Sequence, residues 1–401
     1  MAVRAKASAA LRSSTGSISS AASGGKRSSR SAEPQQGGGI EGNRKGSAVQ
    51  DAPSVAPPGR GVSEHKGTRR EVGVDDGLSA RALIDCIELV MEGQQEGLFQ
   101  ISLDAFIQRY EDSPAEGLVE LANCVVHAAG LRQVYLDLSA LDLEEEGDPI
   151  EELFTDTKLK ALIATAEANG THEDPYPFVD KKMGRRYKAA TVRVLTTLLG
   201  KVKHELFFDE RLVPWLLEWL MMMSMSSHRA VRHTGCELSM ALLTHFAAFA
   251  TEIGQARQVK ERLKSSKRRK DQMGDALSAD ADRLAMHEDK VKSMMQIIFE
   301  QVCVNRYRDT NDEIRSITAH HLGRAVSECP SFLNDAQLKY LGWLLNDPGS
   351  AAVRAESLGS LHEIYKAQHS AKNLRRVLTF TQRFEHRFYE LIRDVDRSVQ
   401  T

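Results

Sequence analysis

From Leu78 onward, apolar residues recur along the chain at helical spacing. Segments such as ARALIDCIELVMEG, LFQISLDAFIQRYED and GLVELANCVVHAAG place apolar residues three or four positions apart, with polar residues between them. This spacing is typical of amphipathic helices, which bury one apolar stripe and leave the opposite face in water. No convincing run alternates with the period of two that a half-buried strand requires. The pattern therefore predicts an all-α body.

One short pattern returns at the head of three predicted helices. It pairs an aliphatic residue with an arginine, at Val231-Arg232, Ile314-Arg315 and Val353-Arg354. The step from Arg315 to Arg354 is 39 residues, close to the period of about 40 to 47 residues in HEAT and armadillo repeats. Each such repeat is a pair of antiparallel helices whose apolar face is covered by its neighbour. We therefore expect a HEAT-like α-solenoid.

Asp347 begins the turn Asp-Pro-Gly that precedes the helix of Arg354. In such repeats, an aspartate at the turn and an arginine on the second helix can form a ladder of ion pairs between units. The step from Arg232 to Arg315 is about two periods, and its middle carries charge on nearly every turn. It predicts a long helical hairpin, residues 251–300, that projects from the solenoid with KSSKRRK near its tip.

Residues 1–77 differ in composition from the rest of the chain. The first 70 residues hold 12 lysines and arginines against 4 acidic residues, a charge of +8, whereas the whole chain carries −2. The acid-free, Ser- and Ala-rich start fits an organelle transit peptide. The same bias continues to about residue 70 without helical periodicity, which favours a disordered basic tail of nuclear type.

The sequence contains no motif that indicates catalysis. It has no nucleophile elbow, P-loop, dinucleotide fingerprint, zinc-protease helix or kinase motif. Its five cysteines are scattered, without a C-x-x-C pair, which favours buried reduced thiols in an intracellular protein. No apolar run reaches the roughly 18 residues that a membrane span needs. We expect a soluble non-enzyme with no cofactor, metal ion or small-molecule substrate.

A basic segment follows the first predicted helices of the chain. Its sequence is VDKKMGRRYKAATVRVLTTLLGKVKHELFF. Its candidate DNA-binding residues are Lys181, Lys182, Arg185, Arg186 and Lys188. On a helix, positions 181, 185 and 188 share a face with 182 and 186 beside them, so one stripe could meet successive phosphates. Binding of that kind ignores base sequence and weakens with salt. The alternative is an ordinary solvated helix face.

A second candidate site combines aromatic and basic residues. The segment VNRYRDTNDEIR places Tyr307 and Arg308 after an apolar run, and Trp343 follows one hairpin later. Tryptophan, tyrosine and arginine are the residue types enriched at binding hot spots. The alternative is that Trp343 belongs to the core, because it stands at helical spacing from Leu338 and Leu341.

Several segments together resemble the stromalin conserved domain of the stromal-antigen subunit of cohesin. They are NRYRDTNDEIRSITAHHLG, SFLNDAQLKYLGWLLND, AVRAESLGSLHEIY and FTQRFEHR. RAVRHTGCELSMAL and the charged segment after it resemble the same family's N-terminal region. The resemblance begins near residue 79, continues to the C-terminus, and is densest in residues 302–387.

This resemblance implies a non-catalytic, HEAT-repeat protein of nuclear chromatin that docks on the kleisin subunit and helps cohesin load on and hold double-stranded DNA. It also implies a surface that receives Phe/Tyr-x-Phe motifs from chromatin regulators, with Trp343 as a half-exposed anchor. The matching positions are Tyr307, Arg308, Asp335, Lys339, Trp343 and Arg383. The DNA-contacting surface of the family likewise includes the part that matches Lys181 to Lys188.

The sequence departs from the family in two respects. Extra residues around HSAKNLRRV precede Arg383. The family is also much longer, so we expect a fragment, a truncated gene model or a short divergent paralogue that lacks much of the kleisin-binding surface. The expected organisation is a tail at 1–77, a helical region at 78–250, the hairpin at 251–300 and the stromalin conserved domain at 301–401. The alternative function is a generic HEAT adaptor, of transport or phosphatase-scaffold type, without a DNA role.

Overall fold

The computed structural model describes residues 82–93, 96–138, 149–203, 206–266, 272–367 and 371–400. These residues belong to one compact unit that includes Asp76–Thr401. The tail expected at 1–77 and the basic residues 267–270 lie outside the described part. Within it the chain is helical, apart from an isolated bridge between Leu131 and His172 and short connecting turns, so the all-α prediction is confirmed.

The α-helices follow one another along the described chain in this order. They are α1 (Ala82–Glu92), α2 (Glu96–Asp112), α3 (Pro114–Ala128), α4 (Pro149–Leu153), α5 (Asp156–Ala168), α6 (Gly184–Val202), α7 (Leu212–Ser224), α8 (Arg229–Ser266), α9 (Gln272–Ile298), α10 (Val304–Arg306), α11 (Asp312–Glu328), α12 (Asp335–Leu344), α13 (Ala351–Ala367), α14 (Ala371–Leu391) and α15 (Arg397–Gln400). A π-helical turn, Phe299–Cys303, joins α9 to α10. Short 3-10 turns are Pro177–Val179, Leu206–Phe208 and Pro330–Phe332.

Helix pairs stack on one another in the second half of the chain. The helices α8, α11, α13 and α15 form one row in which each packs beside the next. Gly323 allows α11 and α13 to come close, because a Cβ atom there would lie 2.3 Å from the Cβ atom of Ser360. Across the same contact, the Ser360 hydroxyl donates to the carbonyl of Ala319 at 3.0 Å. These stacked pairs confirm the predicted HEAT-like solenoid.

The predicted charged hairpin is also confirmed. Helix α8 has 38 residues and α9 has 27, and they run antiparallel. Arg257 of α8 pairs with Glu288 of α9 at 3.0 Å, and Lys260 pairs with Asp280 at 2.8 Å. Because α8 continues unbroken from its buried first half into the hairpin, one helix crosses the domain boundary expected at residue 250.

Arginines at the heads of the second helices form the expected ladder. Arg232 pairs with Asp309 at 3.0 Å, Arg315 with Asp347 at 2.6 Å, and Arg354 with Asp394 at 2.7 Å. In every case, the arginine lies on one helix pair and the aspartate lies in the turn of the next. Each arginine also donates to a carbonyl of its own turn, namely that of Ser226, Asp309 or Asp347. The ladder therefore ties each turn to its successor.

Two further features concern the cysteines and the character of the helices. The cysteines are buried free thiols, and burial raises the pKa of the Cys86 thiol to about 11. Among the helices that the structure describes, none combines the length with the apolar character that membrane crossing demands.

Candidate functional site

Three aromatic side chains, Tyr307, Tyr340 and Trp343, form a cluster where the end of α10 meets α12. Their ring centroids lie 4.9 Å apart for Tyr307 and Tyr340, 5.0 Å for Tyr340 and Trp343, and 5.5 Å for Tyr307 and Trp343. Phe299 supports the cluster from below, with its ring 5.4 Å from that of Tyr340. These distances fall within the range of favourable aromatic pairs.

Local sequence explains why α12 presents this cluster. Asn334 caps the helix, since its side-chain oxygen accepts from the backbone amides of Ala336 and Gln337 at 2.7 and 3.3 Å. From that fixed start, Tyr340 and Trp343 follow one another at a spacing of three residues on one side of the helix. Tyr307 reaches them from the preceding turn, immediately after α10 ends at Arg306.

The three rings differ in their exposure to solvent. Tyr307 and Tyr340 form the buried base of the cluster, and we call the half-exposed Trp343 its anchor. Tyr307 and Tyr340 are buried, with 9% and 7% of their surface exposed, whereas Trp343 is 43% exposed. Trp343 is therefore not a core residue, and the interpretation that places it in the core is wrong. A large, rigid ring that lies half in water on a buried aromatic base offers contact area to a ligand at small entropic cost.

Cationic groups line the aromatic cluster. The guanidinium of Arg308 lies 4.8 Å from the ring centre of Tyr307. The ammonium of Lys339 lies 5.1 Å from the ring of Tyr340 and 5.5 Å from that of Trp343. Both distances are those of cation–π contacts. The edge of the cluster is therefore positively charged.

Helix α14 brings Arg383 to the same surface. It packs tightly on α12, because a Cβ atom at Gly342 would lie 2.3 Å from the ring of Phe384. Arg387 fixes the register, since its guanidinium donates to the carbonyl of Leu345 at 2.9 and 2.7 Å. In this register Arg383 pairs with Asp335, at the start of α12, at 3.7 Å. All six residues predicted for motif binding thus lie on α12, on α14 or in the turn after α10.

The site contains two residues that the predicted set of six lacks. Tyr340 supplies part of the base, and its signal was the spacing of three residues to Trp343. Asp309 fixes the turn of Tyr307 and Arg308, with its side chain only 2% exposed. Burial alone would raise the pKa of Asp309, but the Asn311 amide and the guanidinium groups of Arg306 and Arg232 outweigh it and lower the pKa.

The basic segment begins in a turn and continues into α6. Lys181 and Lys182 lie in the turn before the helix, where the Asp180 carboxylate accepts from the backbone amides of Lys182 and Met183 at 2.9 and 2.7 Å. Arg185 and Arg186 lie in the first turn of α6 and are exposed. The five predicted residues therefore do not form a single helical stripe.

Other cations of this segment are already paired. Lys188 lies 3.4 Å from Glu237 and 3.5 Å from Glu313. Arg186 donates to the carbonyl of Met91 at 2.5 Å. Further along, Arg193, Lys201 and Lys203 pair with Glu96, Asp104 and Glu252. Within the described residues, Lys181, Lys182 and Arg185 have no carboxylate within ion-pairing distance, so the candidate phosphate-binding surface is centred on these three.

No group of three or more histidine, cysteine, aspartate or glutamate side chains in the described part of the chain is arranged to hold a metal ion. The adjacent histidines of α11 have other roles. His320 pairs with Glu356 at 2.8 Å, and His321 pairs with Glu237 at 3.4 Å. These contacts join α11 to α13 and to α8.

Two family models match this chain. The family model described as the STAG domain matches residues 174–284, and the model described as the stromalin conservative domain matches residues 308–385. Sister-chromatid cohesion protein 3 of Arabidopsis thaliana is 30% identical over 305 residues, which are 75% of this chain and 26% of that protein. Cohesin subunit SA-1 of Xenopus laevis is 25% identical over 361 residues, 87% of this chain and 26% of that protein.

A solved structure shares the fold. Cohesin subunit Scc3 from Z. rouxii superposes with a TM-score of 0.62 at 19% identity, covering 74% of this chain and 33% of that one. This chain thus spans about a quarter of the length of the curated relatives it matches.

The two matched domains contain the two candidate surfaces. The exposed cations of the basic segment lie within the STAG match, and Trp343, with most of the residues around it, lies within the stromalin match. With both domains present in one helical solenoid and relatives that carry the same cohesin subunit names, the chain belongs to the stromalin family, the family of the cohesin subunits SA and Scc3.

Proposed function

We propose that this chain is a non-catalytic scaffold of cohesin that recruits regulatory proteins through the aromatic cluster. The observation that carries the proposal is the half-exposed ring of Trp343 on the buried base of Tyr307 and Tyr340. Such a site favours an aromatic side chain, which can stack on or meet the edge of the indole and exclude water from it.

The charges around the cluster specify the ligand further. Arg308, Lys339 and Arg383 would attract acidic groups on either side of an aromatic residue. A short extended motif of the Phe/Tyr-x-Phe type with acidic flanks satisfies both requirements, because alternate side chains of an extended peptide point the same way. Regulators with such motifs are therefore the proposed partners.

Quenching of tryptophan fluorescence tests this proposal without a label. The chain has three tryptophans, and Trp215 and Trp219 are buried, so acrylamide reaches Trp343 selectively. An acid-flanked Phe-x-Phe peptide should protect Trp343 from the quencher in a saturable way. The matched Ala-x-Ala peptide is the control. Equal quenching with either peptide would contradict the proposed site.

A second proposed activity is the binding of double-stranded DNA. It is supported by the exposed side chains of Lys181, Lys182 and Arg185, which have no ion-pairing carboxylate among the described residues. Contacts from lysine and arginine to phosphates are independent of base sequence and weaken as salt rises. Fluorescence anisotropy of labelled duplexes at two salt concentrations tests it, and affinity that does not change with salt would contradict it.

Membership of the family supports the remaining parts of the proposal. The chain associates with the kleisin subunit, acts in the nucleus on chromatin, and supports sister-chromatid cohesion and chromosome segregation. Co-purification of the full chain with the kleisin tests the first of these. Failure to co-purify while the aromatic cluster still binds its peptide would leave the chain as a HEAT adaptor outside the cohesin ring.

A further inference from the structure

The side of the aromatic cluster that carries Tyr307 and Arg308 belongs to a short turn between α10 and α11. The turn is organised by Asp309, which follows these two residues directly. One oxygen of its carboxylate accepts from the Asn311 amide at 2.9 Å, and the other accepts from Arg306 at 2.8 Å. The position of both ligand-facing residues therefore depends on how firmly this buried carboxylate is held.

Arg315 of α11 donates to the Asp309 carbonyl at 2.7 Å, and a further contact to the carboxylate comes from a distant part of the chain. Arg232, near the start of α8, donates from Nε to the same carboxylate oxygen at 3.0 Å. Its Nη1 donates to the carbonyls of Ser226 and Ser227 at 3.1 and 2.9 Å. One guanidinium thus joins the turn before α8 to the turn that carries Tyr307, and a planar, always charged group is well suited to hold both.

The ion pair of Arg232 with Asp309 is one of those that form the ladder, but it differs from the others in its location next to the aromatic cluster. Arg354 makes the same type of contact, with Nε 2.8 Å from Asp394 and Nη1 2.9 Å from the carbonyl of Asp347. Its aspartate follows α14, beyond the aromatic cluster. Arg232 instead lies in the STAG match and reaches the residue next to Arg308, so it joins the two matched domains at the binding surface.

We propose that Arg232 is a positioning residue for the aromatic cluster. This inference rests on the proposed function, and Arg232 itself does not contact the ligand. Without its guanidinium, the Asp309 carboxylate keeps only Arg306 as a charged partner, while Arg315 still donates to the Asp309 carbonyl. The turn of Tyr307 and Arg308 then gains freedom that ligand binding must remove. A binding site loses affinity when the residues that hold its contacts in place are loosened.

The test compares three variants of the full chain. Arg232→Gln should weaken binding of the acid-flanked Phe-x-Phe peptide about tenfold, mainly through faster dissociation. Arg232→Lys, which keeps a cation near Asp309, should restore part of that affinity. Arg354→Gln breaks the equivalent contact to Asp394, which does not involve the turn of Tyr307 and Arg308, and should lower thermal stability while it leaves peptide affinity unchanged.

Amide hydrogen exchange supplies a readout that does not need the peptide. The amide of Asn311, which donates to Asp309, should exchange faster in Arg232→Gln but not in Arg354→Gln. Unchanged exchange and unchanged affinity in Arg232→Gln would overturn the positioning role, as would an equal loss of affinity in Arg354→Gln. If the wild-type chain binds no peptide, the proposed function itself fails and this role with it, whatever the exchange shows.

Discussion

The ammonium of Lys188 lies 3.4 Å from the buried carboxylate of Glu237, on the neighbouring helix α8. It also lies 3.5 Å from Glu313 on α11, so one lysine side chain joins three helices. Only 23% of this side chain is exposed. The charge of Lys188 is therefore neutralised inside the fold, while Lys182 and Arg185 face the solvent a few residues earlier.

Lys188→Ala should reduce stability and leave DNA affinity nearly unchanged. Removal of Lys188 leaves the buried Glu237 carboxylate in contact with His321, and the lost ion pair should cost about 2 kcal/mol in free energy of unfolding. Urea unfolding followed by circular dichroism measures that loss. Lys181→Ala, at an exposed position, is the matched control and should unfold like the wild type.

The double reversal Lys182→Glu and Arg185→Glu should reduce DNA affinity and leave stability nearly unchanged. It should weaken duplex binding and reduce the slope of log K against log salt by about 2, because two phosphate contacts are lost. Arg186 is the less suitable target, since it donates to the carbonyl of Met91. Anisotropy titrations measure both quantities, and equal weakening of peptide binding would indicate misfolding instead.

Glu237 should make the free energy of unfolding depend on pH in the acidic range. Burial alone would raise its pKa, but the hydrogen bond from His321 and the charges of His321 and Lys188 outweigh burial and lower the pKa from 4.5 to about 2. The folded state thus binds fewer protons than the unfolded state between these values. The stability from Glu237 is complete above pH 4.5 and is lost as the pH falls towards 2.

Comparison of Glu237→Gln with the wild type isolates this contribution. The variant should be less stable at pH 7 by about 3 kcal/mol, and its stability should fall less steeply between pH 4.5 and pH 2. Urea unfolding at pH 7, 4 and 3 provides the measurement. Parallel curves for the two proteins would show that Glu237 does not titrate in this way.

Trp343→Ala should abolish binding of the aromatic-motif peptide with little change in thermal unfolding. The ring is 43% exposed, so its removal leaves no large cavity, but it takes away the anchor of the cluster. Anisotropy of a labelled peptide and the unfolding midpoint are the two measurements. Tyr389→Ala, which removes an exposed ring on α14, is the control, and a similar loss of affinity there would contradict a specific site.

Arg383→Glu should discriminate between peptides by charge. Its ion pair with Asp335 is long, and both side chains are 54% exposed, so stability should hardly change. Affinity for an acid-flanked motif should fall several-fold more than affinity for the same motif with neutral flanks. Arg375→Glu, also exposed on α14, is the matched control. A uniform loss for both peptides would show that Arg383 does not read the flanks.

Periodicity in the sequence was sufficient for the architecture. The recurring aliphatic-arginine pairs predicted the stacked helix pairs, and Asp347 with Arg354 predicted the ladder, because each rung uses the same positions in every unit. The density of charge in residues 251–300 likewise predicted the helical hairpin of α8 and α9. Residue types indicated Tyr307, Arg308 and Trp343 as a candidate site. The family resemblance was needed to add Asp335, Lys339 and Arg383 and to favour an exposed Trp343, because the spacing of Trp343 alone also fits a core helix.

By itself, then, the sequence determined which residues share a face once a segment is helical, because that follows from the period of the α-helix. It also determined which segments form repeats, because the aliphatic-arginine pairs recur along the chain. Only the tertiary structure decided the partners across units, which periodicity cannot reveal. In the structure, Lys188 pairs with the buried Glu237, and the half-exposed Trp343 packs against Tyr307. Arg232 contacts Asp309, which is 77 residues away in the chain. Those contacts depend on the packing between helices, and they separate a cation that is paired inside the fold from cations that are exposed to solvent.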